Sequence, residues 1–116
     1  MIITPRSTSK HYRQQGVWGD QQLHELLFAH AKQKPDNYAL VDPLNKMDLT
    51  GQEAQRLTFS QTVEKIEHIS TCLYEQGIGK DDILLVQMPN TVELVMLYLA
   101  ASKLGAIISP VPMQYL

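Results

Sequence analysis

Residues 77–80, Gly-Ile-Gly-Lys, have the composition of a phosphate-binding loop, in which glycine amides and a lysine hold the oxygens of a nucleotide. The nucleotide-binding pattern needs four residues between its glycines and a Ser or Thr after its lysine, and this segment has neither. It also precedes a predicted strand, whereas a phosphate loop opens a helix. We therefore interpret Gly77 as the stop of a helix and the residues after it as a turn.

His68 and Cys72 lie four residues apart on a predicted helix, so their side chains share one face and could supply two ligands to zinc. Zinc in proteins takes three or four protein ligands, and the sequence offers no second pair at ligand spacing. His24 and His30 are six residues apart and fall on different faces of their helix. We predict no metal site, and we interpret Cys72 as a small residue beside the buried stripe of its helix.

Acidic side chains are the remaining groups that could act as general acids or bases. Glu64, Glu67 and Glu75 fall on the polar side of a predicted helix, which is typical of a solvated face. Asp81 and Asp82 lie in a turn before a strand, where Asp is favoured for local hydrogen bonding. The sequence therefore predicts no catalytic, cofactor-binding or metal-binding residue in this chain.

The first of about three main helices is predicted from Asp20, which caps it, to Lys34, and Pro35 ends it. The apolar spacing i, i+3, i+4, i+7 predicts one buried stripe on this helix. The members of this stripe are Leu23, Leu26, Leu27 and His30. Residues 1–19 are polar and are predicted to form an extended N-terminal arm, with Trp18 holding it to the body of the protein.

The second helix has the clearest start signal. Thr58 and Gln61 fit a capping box, in which Thr58 is the N-cap and Gln61 bonds back from the third helical position. A short strand is predicted at 38–41 and a brief strand or turn at 56–57. The polar stretch between them, residues 43–55, is predicted to form a loop or a wide hairpin. The buried face of the helix is predicted to comprise Val63, Ile66, Ile69, Ser70 and Leu73.

A strand–helix–strand unit is predicted next. Residues 83–86 are an apolar run without alternation, which predicts a strand buried on both faces. Residues 106–109 are predicted to be the next strand, parallel to the first. The helix between them reaches Leu104 and is apolar around most of its circumference, and Asn90 and Glu93 have capping-box spacing at its start. The fold class is α/β, with a βαβ unit, and the sheet is incomplete because two parallel strands need further strands beside them.

The composition is that of a globular chain, since 44% of its 116 residues are hydrophobic and its formal net charge is −2. Nucleic-acid binding needs a basic face, and the Lys and Arg residues are scattered, so we exclude it. The apolar run at 94–101 is far shorter than the roughly 20 residues of a membrane span. A single cysteine cannot form an intramolecular disulfide, and residues 1–16 lack a secretory signal. We expect a cytoplasmic protein.

Four segments in this order resemble the beginning of the AMP-forming acyl-CoA synthetases, which are AMP-dependent synthetases/ligases of the adenylate-forming family. They are Tyr-Ala-Leu-Val-Asp at 38–42, Arg-Leu-Thr-Phe-Ser-Gln at 56–61, Gly-Ile-Gly-Lys-Asp-Asp-Ile-Leu-Leu-Val-Gln-Met-Pro-Asn at 77–90, and Lys-Leu-Gly-Ala-Ile-Ile-Ser-Pro-Val-Pro-Met-Gln-Tyr at 103–115. The second is similar to the family signature L-T-Y-x-E-L and the fourth to its K-x-G-A segment. The Pro-rich ending is similar to the acyl- or aryl-CoA synthetase branch.

The sequence departs from the family pattern at a few positions. Gln61 stands where the family has Glu, Thr62 where it has Leu, and Asp81 where it has a turn Gly. The stretch 43–55 is longer than the tight turn usual in the family. None of these positions carries the family's chemistry.

The resemblance implies that residues 20–116 are the N-terminal part of a truncated synthetase/ligase domain, from an ATP-dependent carboxylate–CoA ligase of fatty-acid or aromatic-acid metabolism. Such enzymes use ATP, Mg²⁺ and coenzyme A to form an acyl-adenylate and then a thioester. The family's catalytic groups lie on later segments, so the resemblance implies that this chain alone holds no cofactor and is inactive. Its partner would be the remainder of the ligase or another chain that covers the open sheet edge.

An alternative from a different functional class stays open at this point. The chain could be a free-standing small α/β module, derived from the same family, that binds a partner or regulates a full-length ligase. Such a module would have to close its sheet, by dimerisation or by covering its edge strand.

Overall fold

A computed structural model of the chain describes residues 3–115. Within this range the chain forms five α-helices, four β-strands and a short 3₁₀ helix, Met113–Tyr115. The helices are α1 (Arg6–Gln14), α2 (Leu23–Gln33), α3 (Lys46–Thr50), α4 (Phe59–Glu75) and α5 (Val92–Leu104). The strands are β1 (Tyr38–Val41), β2 (Arg56–Thr58), β3 (Ile83–Val86) and β4 (Ile107–Pro110).

The N-terminal segment is helical, so the prediction of an extended arm is wrong. Residues 6–14 contain neither Gly nor Pro, and Pro5 precedes them, which permits a helix despite their polarity. No residue of α1 is buried, and the Trp18 ring lies 5.2 Å from the Tyr12 ring. Trp18 therefore packs on α1 itself. The boundary between an arm at 1–19 and a domain at 20–116 stays a prediction.

Helix α2 begins later than predicted, and only part of its predicted stripe faces the core. Gln22 and Glu25 form the capping box at its start, whereas Asp20 pairs with Arg13. Periodicity alone does not distinguish two overlapping stripes on a helix that is apolar on both sides. Leu27 of the predicted stripe packs against the core together with Phe28. The other stripe members, Leu23, Leu26 and His30, are solvent-exposed.

Strands β1 and β2 pair antiparallel with Leu40 opposite Leu57, which confirms the wide-hairpin alternative for residues 43–55. The connection contains α3, which the sequence pattern did not predict. Gly51 ends α3 with a φ of 71°, in the left-handed region that favours glycine.

Helix α4 confirms its predicted start and stop. Gln61 N donates to Thr58 Oγ1 at 3.2 Å, and Thr58 N donates to Gln61 Oε1 at 2.9 Å. Thr62, which stands where the resemblance led us to expect Leu, is fully buried and donates its hydroxyl to the Thr58 carbonyl at 2.7 Å. Gly77 has a φ of 86° after the helix.

The βαβ unit is confirmed, because β3 and β4 are parallel with Ile83 opposite Ile107, and α5 connects them. The second capping box is not formed. Thr91 is the N-cap of α5, without a side-chain bond to the helix amides, and the Glu93 carboxylate contacts Lys46.

Burial of β3 on both faces is the prediction that the structure contradicts most clearly. Val86 is buried, but Ile83 and Leu85 on the opposite face are 60% and 74% exposed. The reason is that the main core lies where α4 and α5 meet, and nothing within residues 3–115 covers the other face of the two-stranded sheet. The buried core residues are Leu57, Ile66, Val92, Met96, Leu99 and Ala100.

Candidate functional site

A buried group of charges surrounds the side chain of Lys46. Lys46 Nζ donates to Asp42 Oδ2 at 2.7 Å and to Glu93 Oε1 at 2.6 Å. The side chains of Lys46 and Asp42 are 0% exposed, and that of Glu93 is 30% exposed. With Gln55, these residues are called the Lys46 cluster below.

Backbone groups complete the Lys46 cluster. Asp42 Oδ2 also accepts from Gln55 N at 2.9 Å, and Asp42 Oδ1 accepts from Val92 N at 2.8 Å. Gln55 Nε2 donates to Glu93 Oε1 at 3.1 Å. The Val92 amide belongs to the first turn of α5, where the helix itself supplies no acceptor and a negative charge is favourable. The cluster therefore fastens the β1–α3–β2 hairpin to the start of α5.

The hydrogen bonds of the cluster determine the direction of each pKa shift. Burial alone would raise the pKa of Asp42, but the bonds from Lys46, Val92 N and Gln55 N outweigh it and the pKa is lowered. Burial would likewise raise the pKa of Glu93, and the bond from Lys46 lowers it overall. Burial would lower the pKa of Lys46, and its bonds to Asp42 and Glu93 raise it instead. All three groups are held in their charged forms.

These shifts predict how stability depends on pH. A carboxyl whose folded pKa is lowered stabilises the fold above its ordinary pKa of about 4, and this stabilisation is lost as the pH falls through the lowered value. Lys46, whose folded pKa is raised, stabilises the fold below about pH 10, and this stabilisation is lost as the pH rises through the raised value.

We therefore expect the contribution of this cluster to the free energy of unfolding, measured by urea titration, to be present in full and constant between about pH 5 and pH 10 and to fall below about pH 4. The Glu93→Gln variant removes one titrating group and should show a shallower acid limb. An acid limb equally steep in both proteins would contradict the assignment.

Sequence reasoning missed the Lys46 cluster. Asp42 and Lys46 are four residues apart, which is the one local signal, but the stretch 43–55 is polar and carries no helical apolar period. Glu93 lies 47 residues from Lys46 in sequence, so only the tertiary fold brings it there.

The structure confirms that residues 77–80 are a helix stop and a turn. Gly77 N donates to the Tyr74 carbonyl at 2.9 Å, and Gly79 N donates to Asp82 Oδ2 at 2.8 Å. These amides are already bonded within the chain, so they do not form a phosphate cradle.

The predicted metal candidates are not assembled into a site. Cys72 Sγ lies 3.7 Å from His68 Nε2 on the exposed surface of α4, outside the buried face of the helix. Across residues 3–115, no three His, Cys, Asp or Glu side chains are arranged to hold a metal ion. Glu64 and Glu75 are exposed, and Glu67 pairs with Lys103.

The Lys46 cluster does not fit a nucleotide polyphosphate or its magnesium ion. Binding these groups needs free amide donors, an accessible cation or a set of carboxylates. Lys46 is enclosed and bound to two carboxylates, and the Asp42 oxygens already accept three hydrogen bonds. The cluster is therefore a structural connection, and no step of nucleotide chemistry is assigned to it.

An open depression of about 380 Å³ lies at the carboxyl ends of β3 and β4. In α/β folds with parallel strands, ligands bind outside this end of the sheet. The depression is bordered by the segments 88–90 and 110–114 and by Leu94 and Tyr98 of α5. None of these lining residues is Asp, Glu, Lys or Arg.

Comparison with known proteins gives consistent results. The family model described as AMP-binding enzyme matches residues 27–116. The medium-chain fatty-acid–CoA ligase of Escherichia coli (strain K12) is 32% identical over 103 residues, covering 85% of this chain and 16% of that protein. The salicylyl-CoA synthase / salicylate adenylyltransferase of a Streptomyces species is 32% identical over 107 residues, covering 92% of this chain and 17% of that protein.

Solved structures share the fold. The fatty acyl CoA synthetase of Mycobacterium tuberculosis superposes with a TM-score of 0.67 at 28% identity, covering 80% of this chain and 17% of that one. The N-terminal subdomain of Klebsiella oxytoca NpsA gives a TM-score of 0.67 at 20% identity, covering 80% of this chain and 22% of that one. The chain thus spans about one sixth of the length of the curated relatives above.

Within residues 3–115, no helix is both long enough and apolar enough to cross a bilayer.

Proposed function

The chain belongs to the AMP-binding enzyme family, and from this membership we propose that it works as part of the N-terminal subdomain of an ATP-dependent carboxylate–CoA ligase. In the proposed reaction a carboxylate oxygen attacks the α-phosphate of ATP, which gives an acyl-adenylate and pyrophosphate. The thiol of coenzyme A then attacks the acyl carbon, which gives the thioester and AMP. The observation that carries the proposal is the family match over residues 27–116.

The contribution of these residues to that reaction is structural. The β3–α5–β4 unit presents the carboxyl ends of two parallel strands, and the Lys46 cluster holds the β1–β2 hairpin against the start of α5. ATP, Mg²⁺ and coenzyme A would be bound by other segments of the ligase. The acyl substrate would be a fatty or an aromatic carboxylic acid, since relatives named for both are similar to this chain. A cytoplasmic location would give access to ATP and coenzyme A.

The test is the reading frame that contains these 116 codons. We expect the codons after Leu116 to encode a Ser/Thr/Gly-rich loop followed by Lys-Gly, and the encoded protein to catalyse ATP–pyrophosphate exchange with an aliphatic or aromatic acid. An unrelated downstream sequence would contradict the proposal and would favour the free-standing binding or regulatory module. Absence of exchange with every acid of a panel of both classes would also contradict it.

The exposed face of the small sheet gives a second test of the same proposal. Parallel sheets are normally covered on both faces, so we propose that later segments of the ligase cover Ile83, Leu85 and Ile107. Leu85→Asp should leave the 116-residue chain folded, because that side chain is 74% exposed. In the longer protein the same change should abolish soluble expression or exchange activity, because the charge is then buried unpaired.

Tyr74→Asp provides the matched control, because Tyr74 is 70% exposed and belongs to α4 and not to the sheet. It should be tolerated in both contexts. The proposed arrangement is wrong if the longer protein carrying Leu85→Asp is expressed and active to the same degree as the one carrying Tyr74→Asp. This face of the sheet would then not be covered.

A further inference from the structure

Helix α1 carries its basic residues on one side. Arg6, Lys10 and Arg13, called the basic row below, are spaced i, i+4 and i+7, so helical geometry places them within about 60° of one another around the axis. Residues 1–19 contain no Asp or Glu, whereas residues 20–116 contain all 12 acidic residues of the chain and only seven Lys or Arg. The positive charge is therefore concentrated on one side of the first helix.

The basic row is largely free of carboxylate partners within residues 3–115. Arg13 pairs with Asp20, and both side chains of this pair are mostly in solvent. Arg6 and Lys10 contact no carboxylate among the described residues. At least two positive charges of α1 are thus available to an anionic partner.

An aromatic pair lies on a different side of the same helix. The rings of Tyr12 and Trp18 are 5.2 Å apart, and Trp18 N donates to the Tyr12 carbonyl at 3.3 Å, so the chain folds back on the end of α1. Both side chains stay partly in solvent, at 38% and 40% exposure. Tyr12 is roughly 100–160° around the helix axis from the members of the basic row.

The core of the protein does not hold α1. No residue of α1 is buried, and none of the substantial packing between helices and strands within residues 3–115 involves it. A helix of nine residues is also shorter than the length of about 12–15 residues below which isolated helices are marginal in water. A partner that contacts both the basic row and the aromatic pair would therefore stabilise a helix that the rest of the chain leaves unsupported.

We propose that residues 6–18, called the α1 segment below, bind the surface of a membrane that contains anionic lipids. Helices that lie in the membrane interface carry Lys and Arg on their polar side and aromatic residues on the other. The rings of Tyr12 and Trp18 enter the headgroup region, where Tyr and Trp are enriched. The long side chains of the basic row reach the lipid phosphates. The helix lies on the bilayer and does not cross it.

Two other anionic partners fit the α1 segment less well. Nucleic acids are bound through many phosphate contacts, and the segment has only three Lys or Arg residues. An acidic protein helix that paired with the basic row would pack on that side of α1 and leave the aromatic pair in solvent. A bilayer surrounds a helix lying in its interface, so it contacts both sides at once.

The fluorescence of Trp18 tests the proposal, because it is the only tryptophan of the chain and reports on the α1 segment alone. We expect its emission maximum to move to shorter wavelength when the 116-residue chain is mixed with vesicles of phosphatidylcholine and phosphatidylglycerol. Vesicles of phosphatidylcholine alone should give a much smaller shift. Added salt should reverse the shift, because it screens the attraction to the anionic lipid. The proposed ligase function plays no part in this binding, since only residues 6–18 contact the lipid.

Variants assign the binding to individual side chains, with co-sedimentation of protein and vesicles as the readout. Arg6→Gln combined with Lys10→Gln should weaken binding about tenfold or more, because each basic residue near an anionic surface contributes about fivefold. Trp18→Ala should weaken it several-fold. Lys32→Gln combined with Lys34→Gln removes the same charge from exposed positions of another helix end and should have a much smaller effect. Thermal melts should confirm that every variant folds.

Equal shifts with the two kinds of vesicle, or no shift with the anionic ones, would contradict the proposal, and both comparisons use the unchanged chain. A loss of binding in Lys32→Gln/Lys34→Gln as large as in Arg6→Gln/Lys10→Gln would overturn it as well, since net charge and not the α1 segment would then determine binding. Binding to a DNA oligonucleotide, or to an acidic peptide of leucine and glutamate, without binding to anionic vesicles would identify a different partner and overturn it too.

Discussion

Replacing Lys46 with alanine is expected to lower the free energy of unfolding by about 3–5 kcal/mol, because the change removes one partner of a buried ion pair. The Asp42 carboxylate is fully buried and would keep only its two backbone donors, and Glu93 would keep Gln55 without its cationic partner. The desolvation of both carboxylates would then be poorly compensated. Urea unfolding followed by circular dichroism at pH 7 measures the change.

Lys103→Ala is the control for the loss of a lysine ion pair in general. Lys103 pairs with Glu67 between α5 and α4, but both side chains are partly in solvent. Exposed pairs contribute about 0–1 kcal/mol, so this variant should unfold close to the wild type. If Lys46→Ala were no more destabilising than Lys103→Ala, the Lys46 cluster would not be what holds the hairpin to α5.

Ile66→Ala is the second change with a large expected effect, a loss of about 2–5 kcal/mol. Ile66 is 0% exposed in the middle of α4, in the core shared with Met96, Leu99 and Ala100 of α5. The truncation removes apolar contacts and leaves a cavity between two helices that can relax only partially. The same urea titration gives the change in unfolding free energy.

Leu85→Ala is the matched comparison, since it also shortens an aliphatic side chain but at a position that is 74% exposed. We expect a change within about 0.5 kcal/mol in the 116-residue chain. A larger effect at Leu85 than at Ile66 would mean that the core lies at the sheet and not between α4 and α5.

The features that the sequence predicted correctly depend on local signals. The Thr58–Gln61 capping box, the glycine stops at Gly77 and Gly105, and the parallel pairing of β3 and β4 all follow from short patterns. Asp81 illustrates how such a pattern tolerates substitution. It has a φ of 70° at the position where the resemblance led us to expect glycine, and its amide donates to the Gly105 carbonyl at 2.9 Å.

The errors arose where burial is decided by distant parts of the chain. An apolar run such as 83–86 indicates burial on both faces only if both faces are covered, and the described residues cover one. Helix α2 is apolar on two overlapping sides, and its packing against α4 and α5 buries Leu27 of the predicted stripe together with Phe28, which the pattern did not include. Residues 6–14 form a helix without any buried side chain, so the sequence has no apolar periodicity there that would predict a helix.

The Lys46 cluster was beyond sequence reasoning for a related reason. A lysine in a polar stretch is normally solvated. The burial of Lys46 depends on the carboxylates of Asp42, which follows β1, and of Glu93 in α5. The prediction that this chain carries no catalytic or ligand-binding residue stays a prediction. The saturated hydrogen bonds of the cluster and of the turn at 77–82 support it.

ATP–pyrophosphate exchange with the purified 116-residue chain tests whether these residues supply the scaffold of a ligase and not its adenylating groups. The assay should cover aliphatic and aromatic carboxylic acids with ATP and Mg²⁺ present in excess. We expect incorporation of labelled pyrophosphate no higher than in a heat-treated sample of the same chain. Reproducible exchange above that control, dependent on one of the acids, would contradict it.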